Sequence, residues 1–367
     1  MSNVAVNHHR VYVVVCQTPP AEGGRVLLKT YDSTNASISP LIVVNKSFSG
    51  VGQNSDVILD DSGIVTVVWE QFVESRIQIG LARFGLNGHE IGLPVLLKDD
   101  QSLADQLPRV AMGKDGRFIV VWHALQRGIR GQLFTTAGKK SGNLFQISQK
   151  NSKNPQYPSV RIDKRNRIGV VWQEGSDDDF HIVMRIYDEK FRSSRIIQVD
   201  DAKGRSYFSN PELLFLGNGN LVVAWKDYRS GEANIFQQIF NTAYKSVGNN
   251  MRVNDDSGAQ WQRLPRLAGS EGNEYALVWE DYRNSSNNQI GDIYVQRFSG
   301  NGIRMGINFK VEIMDEPTAQ RFPAVAMNHT GELVITWSDT RNNSSEIYMA
   351  QISPQGQQQG SEVRVFP

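Results

Sequence analysis

Few features of this sequence settle a function at once. The 367 residues contain one cysteine, Cys16, so no internal disulfide can form. Cys16 ends the run Val13-Val14-Val15-Cys16 and reads as a buried, inert thiol. No apolar run approaches the roughly 18 residues needed to cross a bilayer, so no membrane insertion is expected. Met1-Ser2-Asn3 leads straight into a strand without a signal-peptide pattern. That fits a cytoplasmic protein or a chain that has lost its export signal. Neither charge is in excess: 39 basic and 38 acidic residues give a net charge of +1. There is thus no argument for a nucleic-acid partner or an anionic membrane surface. Helical periodicity is absent. So are Gly-x-Ser-x-Gly, His-Glu-x-x-His, a phosphate loop, a cysteine pair and an Asp-x-Asp-x-Asp-Gly calcium loop. No cofactor and no metal are expected.

What is present is a soluble composition, 40% hydrophobic and 21% charged, and a repeat. The stretch Leu221 to Trp225, followed by Lys-Asp-Tyr-Arg, recurs as Ala276 to Arg283 and Val334 to Arg341, with four weaker copies. Its anchor positions are Cys16, Trp69, Trp122, Trp172, Trp225, Trp279 and Trp337, at spacings of 53, 53, 50, 53, 54 and 58. A unit of that size cannot bury its own core, so seven copies predict a seven-bladed β-propeller. The register before the anchor needs no gap. Fourteen residues upstream stand Pro108, Pro158, Pro211, Pro265 and Pro323, with Ser2 and Ser55 in the other two copies. Twelve upstream stand Val4, Val57, Val110, Val160, Leu213, Leu267 and Val325. Six upstream stand Gly63, Gly116, Asn166, Gly219, Asn273 and Gly331, with Arg10 the exception. Gly and Asn tolerate positive φ, which marks a tight turn between two strands.

Each unit reads as four antiparallel strands, A to D. Strand A starts near the proline, and strand B is the apolar run into the anchor. Strand C resembles Ile293 to Phe298, and strand D is shorter, as in Met251 to Val253. The chain starts on a strand A, Val4 to Val6, and ends on a strand D, Val363 to Val365, so the repeats are in phase with the termini. With no linker to cut at, the expectation is one domain over 1–367. Its blades are 1–53, 54–106, 107–156, 157–209, 210–263, 264–321 and 322–367.

In this architecture ligands are expected, by analogy, at the central opening on the face carrying the B–C and D–A loops. Two readings compete for Asp227 and Arg229, Asp281 and Arg283, and Asp339 and Arg341, which sit at identical offsets after Trp. They are either equivalent ligand sites, or scaffold in which Asp caps loop amides and Arg bridges or stacks. Exact repetition favours scaffold, since one active site needs its residues once. Residues that break the repeat are the better ligand candidates. His123 directly follows Trp122. Asp177, Asp178 and Asp179 form an acid run unique to the fourth unit. Trp261, the only Trp outside the anchor series, stands beside Arg263 in a D–A loop. An aromatic platform beside a guanidinium suits a sugar or an anion. Tyr157, Tyr207 and Arg321 complete the candidate set in the D–A loops, which also carry Arg205. Carboxylates for glycoside hydrolysis would come from Glu174, Asp179, Asp227 and Asp281.

Pro-x-Val-Ala, Gly-x-x-Val-Val-x-Trp-x-Asp-x-Arg and Asp-Ile-Tyr-x-Gln-Arg-Phe (Asp292 to Phe298) together resemble repeats of secreted or surface-attached bacterial β-propeller proteins. Those repeats are distantly similar to the sialidase-like superfamily. The sialidase Asp box, Ser-x-Asp-x-Gly-x-x-Trp, is not matched; the nearest stretch is Asp61-Ser-Gly63. The resemblance implies an extracellular, periplasmic or cell-surface location, with the cytoplasm as the alternative, and carries over no catalytic residue. Three functional classes follow. The first is a non-catalytic module recognising a glycan or protein ligand, which the regular loops favour. The second is a glycan-active hydrolase or lyase at the central opening. The third is a scaffold in a surface assembly. A monomer is the default.

Overall fold

The computed structural model describes residues 2–97, 102–177, 179–202, 207–256, 260–270, 272–285, 288–311, 318–342 and 344–366. Asp178 and Arg205, named above, lie outside these residues. Seven four-stranded sheets follow one another along the chain, each in the order A-B-C-D. This is a seven-bladed β-propeller with four antiparallel strands per blade. The first strand, Ser2–Val6, is strand A of the first sheet, and the last, Gln358–Phe366, is strand D of the seventh. Among the described residues the one helical segment is a 3-10 turn at Pro20–Glu22.

The chain divides into two compact units, Met1–Val170 with Arg185–Arg195, and Val171–Met184 with Ile196–Pro367. The division passes through the fourth blade. In the first unit, Val13, Val15 and Leu28 of the first blade pack on Val57, Val67, Trp69 and Phe84 of the second. In the second unit, Val222, Ala224 and Ile239 of the fifth blade pack on Leu277, Trp279 and Phe298 of the sixth. The run of strand B into the anchor is largely apolar because both of its faces are covered. Each anchor Trp is at most 1% exposed. Cys16 takes the anchor place in the first blade at 3% exposure, and burial pushes its thiol up to about 12.

The A–B turn has positive φ in all seven copies. Gly63 is at 85° and Gly331 at 86°, and Arg10 accepts the same conformation at 60°. The proline of strand A lies inside the strand rather than at its start. Strand A of the sixth blade is Gln262–Gly269, two residues ahead of the expected boundary at 264. Its register shifts between Arg263 and Arg266, around Pro265. A bulge leaves one residue unpaired, which is where a strand accepts a residue without an N–H. The residue before the proline turns to positive φ: Leu107, Tyr157, Asn210, Leu264 and Phe322 lie between 50° and 56°. A second bulge recurs in strand D. The side-chain amides of Gln132, Gln238 and Gln296 on strand C donate to the backbone around Gly142, Gly248 and Gly306, whose φ values are 72°, 68° and 75°.

Candidate functional site

The repeated Trp-x-Asp-x-Arg residues are bonded to each other. Asp227 accepts from the Trp225 indole at 2.9 Å, and from the Arg229 amide and Nε at 2.8 Å each. Arg229 then reaches Asp201 at 2.6 Å and Asn250 at 2.9 Å, and lies 4.6 Å from the centre of the Phe236 ring. In the sixth blade Trp279 donates to Asp281 at 2.8 Å, and Arg283 joins Asp281 to Asp255. In the seventh, Trp337 donates to Asp339 at 3.1 Å, and Arg341 reaches Glu362 at 2.7 Å. Arg283 and Arg341 sit 4.2 and 4.0 Å from the Tyr294 and Tyr348 ring centres. The other anchors find different acceptors. Trp69 uses Gln71, Trp122 uses Asp105 and Trp172 uses Glu174. Three of the four candidate hydrolytic carboxylates, Glu174, Asp227 and Asp281, are therefore held by an indole N–H.

Side chains alternate along a strand, so the residue one past the Trp faces away from this scaffold, and the residue three past it lies just beyond the strand end. In the fifth blade they are Lys226 and Tyr228; in the sixth, Glu280 and Tyr282. The D–A loops pair with them through the backbone. Tyr228 N–H donates to Tyr207 C=O at 3.2 Å, and Tyr282 N–H to Trp261 C=O at 3.0 Å. Tyr207 and Trp261 thus hold equivalent places in successive blades. Lys226 Nζ lies 5.9 Å from the centre of the Tyr207 ring and 5.2 Å from that of Tyr228. The Arg263 guanidinium lies 4.3 Å from the Trp261 ring centre and 5.2 Å from that of Tyr282. Trp261 Nε1 donates to Glu232 at 3.0 Å, which fixes the indole. Glu280 accepts the Phe322 amide at 2.6 Å and the Tyr282 hydroxyl at 3.2 Å. Arg321 is exposed and donates to the Gln289 carbonyl at 3.2 Å.

Charge in this cluster is unevenly satisfied. Among the described residues, neither the Lys226 ammonium nor the Arg263 guanidinium forms a hydrogen bond or an ion pair. Burial pushes Lys226 down to about 8; Arg263 adds to the fall and Glu280 opposes it. Glu280 is 3% exposed, and burial holds it above the carboxylate range against the pull of Arg263 and Arg321. Tyr282 is pushed up to about 12 by burial and by Glu280.

Of the sequence candidates, Tyr207, Trp261, Arg263 and Arg321 fall in this one cluster of the second unit. His123 and Tyr157 belong to the first unit. His123 is 6% exposed, and burial lowers its pKa. Tyr157 is the positive-φ residue before Pro158. Asp179 is exposed and lies 3.6 Å from His181 Nε2. Its neighbour Phe180 packs edge-on against Tyr207 at 5.2 Å. Lys226, Tyr228, Glu280 and Tyr282 were not singled out, because they occupy the variable places between repeated ones. Strand alternation is the signal that finds Lys226 and Glu280: once Trp and Asp are assigned to one face, the residue between them belongs to the other. No group of three or more metal-ligating side chains occurs among the described residues.

No family model and no curated protein matches the sequence. Solved structures do. An ulvan lyase of a new polysaccharide lyase family aligns at TM-score 0.65 and 10% identity, over 96% of this chain and 91% of its own. It has also been solved bound to -[GlcA(1-4)Rha3S]-. A protein of unknown function from Dyadobacter fermentans aligns at TM-score 0.58 and 11% identity, over 84% of this chain and 92% of its own. AofleA from Arthrobotrys oligospora aligns at TM-score 0.52 and 7% identity, over 85% and 86%. At such identities the likeness is one of fold, and what this chain shares with all three is the propeller.

Proposed function

We propose that the chain binds an acidic glycan on the loop surface of its fifth and sixth blades. The observation that carries this reading is the pairing of unsatisfied cations with aromatic rings. Arg263 and Lys226 form no hydrogen bond or ion pair among the described residues, feel buried Glu280 only across space, and lie against aromatic side chains. A guanidinium and an ammonium recognise carboxylate or sulfate, and indole and phenol faces stack on sugar rings. Arg321 adds a third cation at the exposed edge. The fold neighbour bound to -[GlcA(1-4)Rha3S]- accords with a propeller accepting a charged sugar, though it shares no sequence argument with this chain.

A glycan array with uronate-bearing, sulfated and neutral members tests this reading. Acidic members are retained, neutral ones are not, and Trp261→Ala with Arg263→Gln abolishes retention. Retention of acidic glycans by that double variant would sink the assignment.

A further inference from the structure

We infer that a uronate carboxylate docks between the Lys226 ammonium and the Leu264 N–H, in the place that a glutamate side chain fills in two other blades. This rests on the acidic-glycan reading above and names the group recognised and where it sits.

The residue directly after the anchor Trp has a repeated task. In the second blade it is Glu70, which is 1% exposed and accepts the Leu107 N–H of the third blade at 2.7 Å. In the sixth it is Glu280, which accepts the Phe322 N–H of the seventh at 2.6 Å. Leu107 and Phe322 precede Pro108 and Pro323 and have φ values of 53° and 56°. Both stand in the bulge of strand A, where the ladder leaves a residue unpaired, and the glutamate of the preceding blade takes the amide instead.

The fifth blade keeps the backbone and reverses the charge. Leu264 precedes Pro265 at φ 50° in the same bulge. In the place of Glu70 and Glu280 stands Lys226, which has donors and no acceptor. Among the described residues no side chain accepts the Leu264 N–H. A donor that two other blades satisfy internally is here accompanied by a second donor, and both call for one anion. Arg263, next to Leu264 in the chain, flanks the spot with another unpaired cation over Trp261. The charges of Arg263 and Glu280 both act on Lys226, so the fifth- and sixth-blade groups share one neighbourhood. Tyr207 is 36% exposed, and Lys226 and Leu264 are half-buried, so solvent reaches it.

The arrangement suits a carboxylate better than a sulfate. In both satisfied blades one carboxylate oxygen takes the backbone amide and the other takes a side-chain donor. That second donor is Gln53 Nε2 at 2.9 Å on Glu70 and the Tyr282 hydroxyl at 3.2 Å on Glu280. Leu264 N–H and Lys226 reproduce such a pair for a carboxylate brought by a sugar, with a charge-assisted bond from the ammonium. A sulfate ester brings a third terminal oxygen that this pair does not serve.

The test uses the whole chain and three polymers. Polygalacturonate and hyaluronan carry uronates without sulfate, and keratan sulfate carries sulfate without uronate. Calorimetry should show binding to at least one of the first two, and at least about tenfold weaker binding to keratan sulfate, as loss of a hydrogen bond to a charged group gives. With leucine labelled by nitrogen-15, the bound uronate should shift the Leu264 amide resonance. Lys226→Glu rebuilds the internal carboxylate. It should raise the denaturation midpoint and weaken uronate binding by about 100-fold or more, since a like charge then occupies the docking place. Lys226→Met, which removes the ammonium alone, should weaken binding by about tenfold or more. Uronate binding that survives in Lys226→Glu or Lys226→Met, or that leaves the Leu264 resonance unmoved, overturns the docking position and leaves the acidic-glycan reading standing. A lowered midpoint or failure to fold in Lys226→Glu overturns the equivalence with Glu280. Keratan sulfate bound as tightly as the uronates overturns the carboxylate assignment alone. No binding to any of the three overturns both this inference and the reading beneath it.

Discussion

The Arg263 guanidinium lies 4.3 Å from the centre of the Trp261 ring, while the indole N–H is fixed by Glu232 at 3.0 Å. One face of the indole is therefore covered by a cation, and its orientation is set from the edge. A sugar can stack only on the opposite face. Trp261→Phe keeps a stacking face but loses the Glu232 bond, and Trp261→Ala loses both. Affinity for an acidic glycan falls in the order wild type, Phe, Ala. The loss of stacking alone costs roughly three- to tenfold, as aromatic contacts of this kind do. Calorimetric titration of the three proteins reads the order directly.

Lys226 gives a pH signature in stability. Its pKa falls from 10.5 when unfolded to about 8 when folded, chiefly through burial. Below about 8 the charged amine is carried into the fold at full cost. Between about 8 and 10.5 the folded state sheds the proton first, and the cost disappears. Lys226→Met is thus more stable than wild type below pH 8, and the gap closes as pH rises to 10.5. Urea melts at several pH values check this; a gap that widens with pH contradicts it.

The scaffold reading of the repeat makes a prediction about folding. Asp281 is fully buried, and it accepts from Trp279 and from Arg283. Asp281→Ala leaves a buried indole N–H and a partly buried guanidinium short of a partner. That costs about 3–5 kcal/mol. Trp279→Ala costs a similar amount by opening a cavity. Both show as lowered denaturation midpoints. A ligand-binding role alone would leave the midpoint in place.

Leu264 sits at φ 50° before Pro265, where Asn210 stands in the preceding blade. A left-handed conformation costs a branched apolar residue about 1–2 kcal/mol, and Asn tolerates it better. Leu264→Asn is expected to be neutral or stabilising despite the loss of an apolar side chain. A clear loss of stability would show that Leu264 packs more than it strains.

The architecture was legible because its signals are exclusive. A Trp every 53 residues or so, a Gly or Asn six residues before it and an unbroken apolar run into it fit few folds other than a propeller. The bulge at the proline was hidden: a proline at a fixed offset reads equally well as the start of a strand. The clamp by Gln132, Gln238 and Gln296 was hidden too, because glutamine inside a strand looks like an ordinary exposed residue until its amide meets the bulged backbone. Half of the candidate cluster was visible: Trp261 stands outside the anchor series with Arg263 beside it, and Tyr207 and Arg321 lie in the D–A loops. Lys226, Tyr228, Glu280 and Tyr282 were not, since a residue between two repeated ones carries no pattern. Its meaning comes from the strand face it shares with the D–A loop of the same blade.

The central claim is that unsatisfied cations on an aromatic surface recognise the charge of a sugar. The measurement that tests it most directly is a titration of wild type and Arg263→Gln with an acidic oligosaccharide and with its carboxyl-reduced counterpart. Wild type should bind the charged form at least about tenfold more tightly, as a charge-assisted hydrogen bond provides, and added salt should narrow the difference. Arg263→Gln should remove most of the preference. Equal affinity of the wild-type protein for the charged and reduced forms would contradict the account.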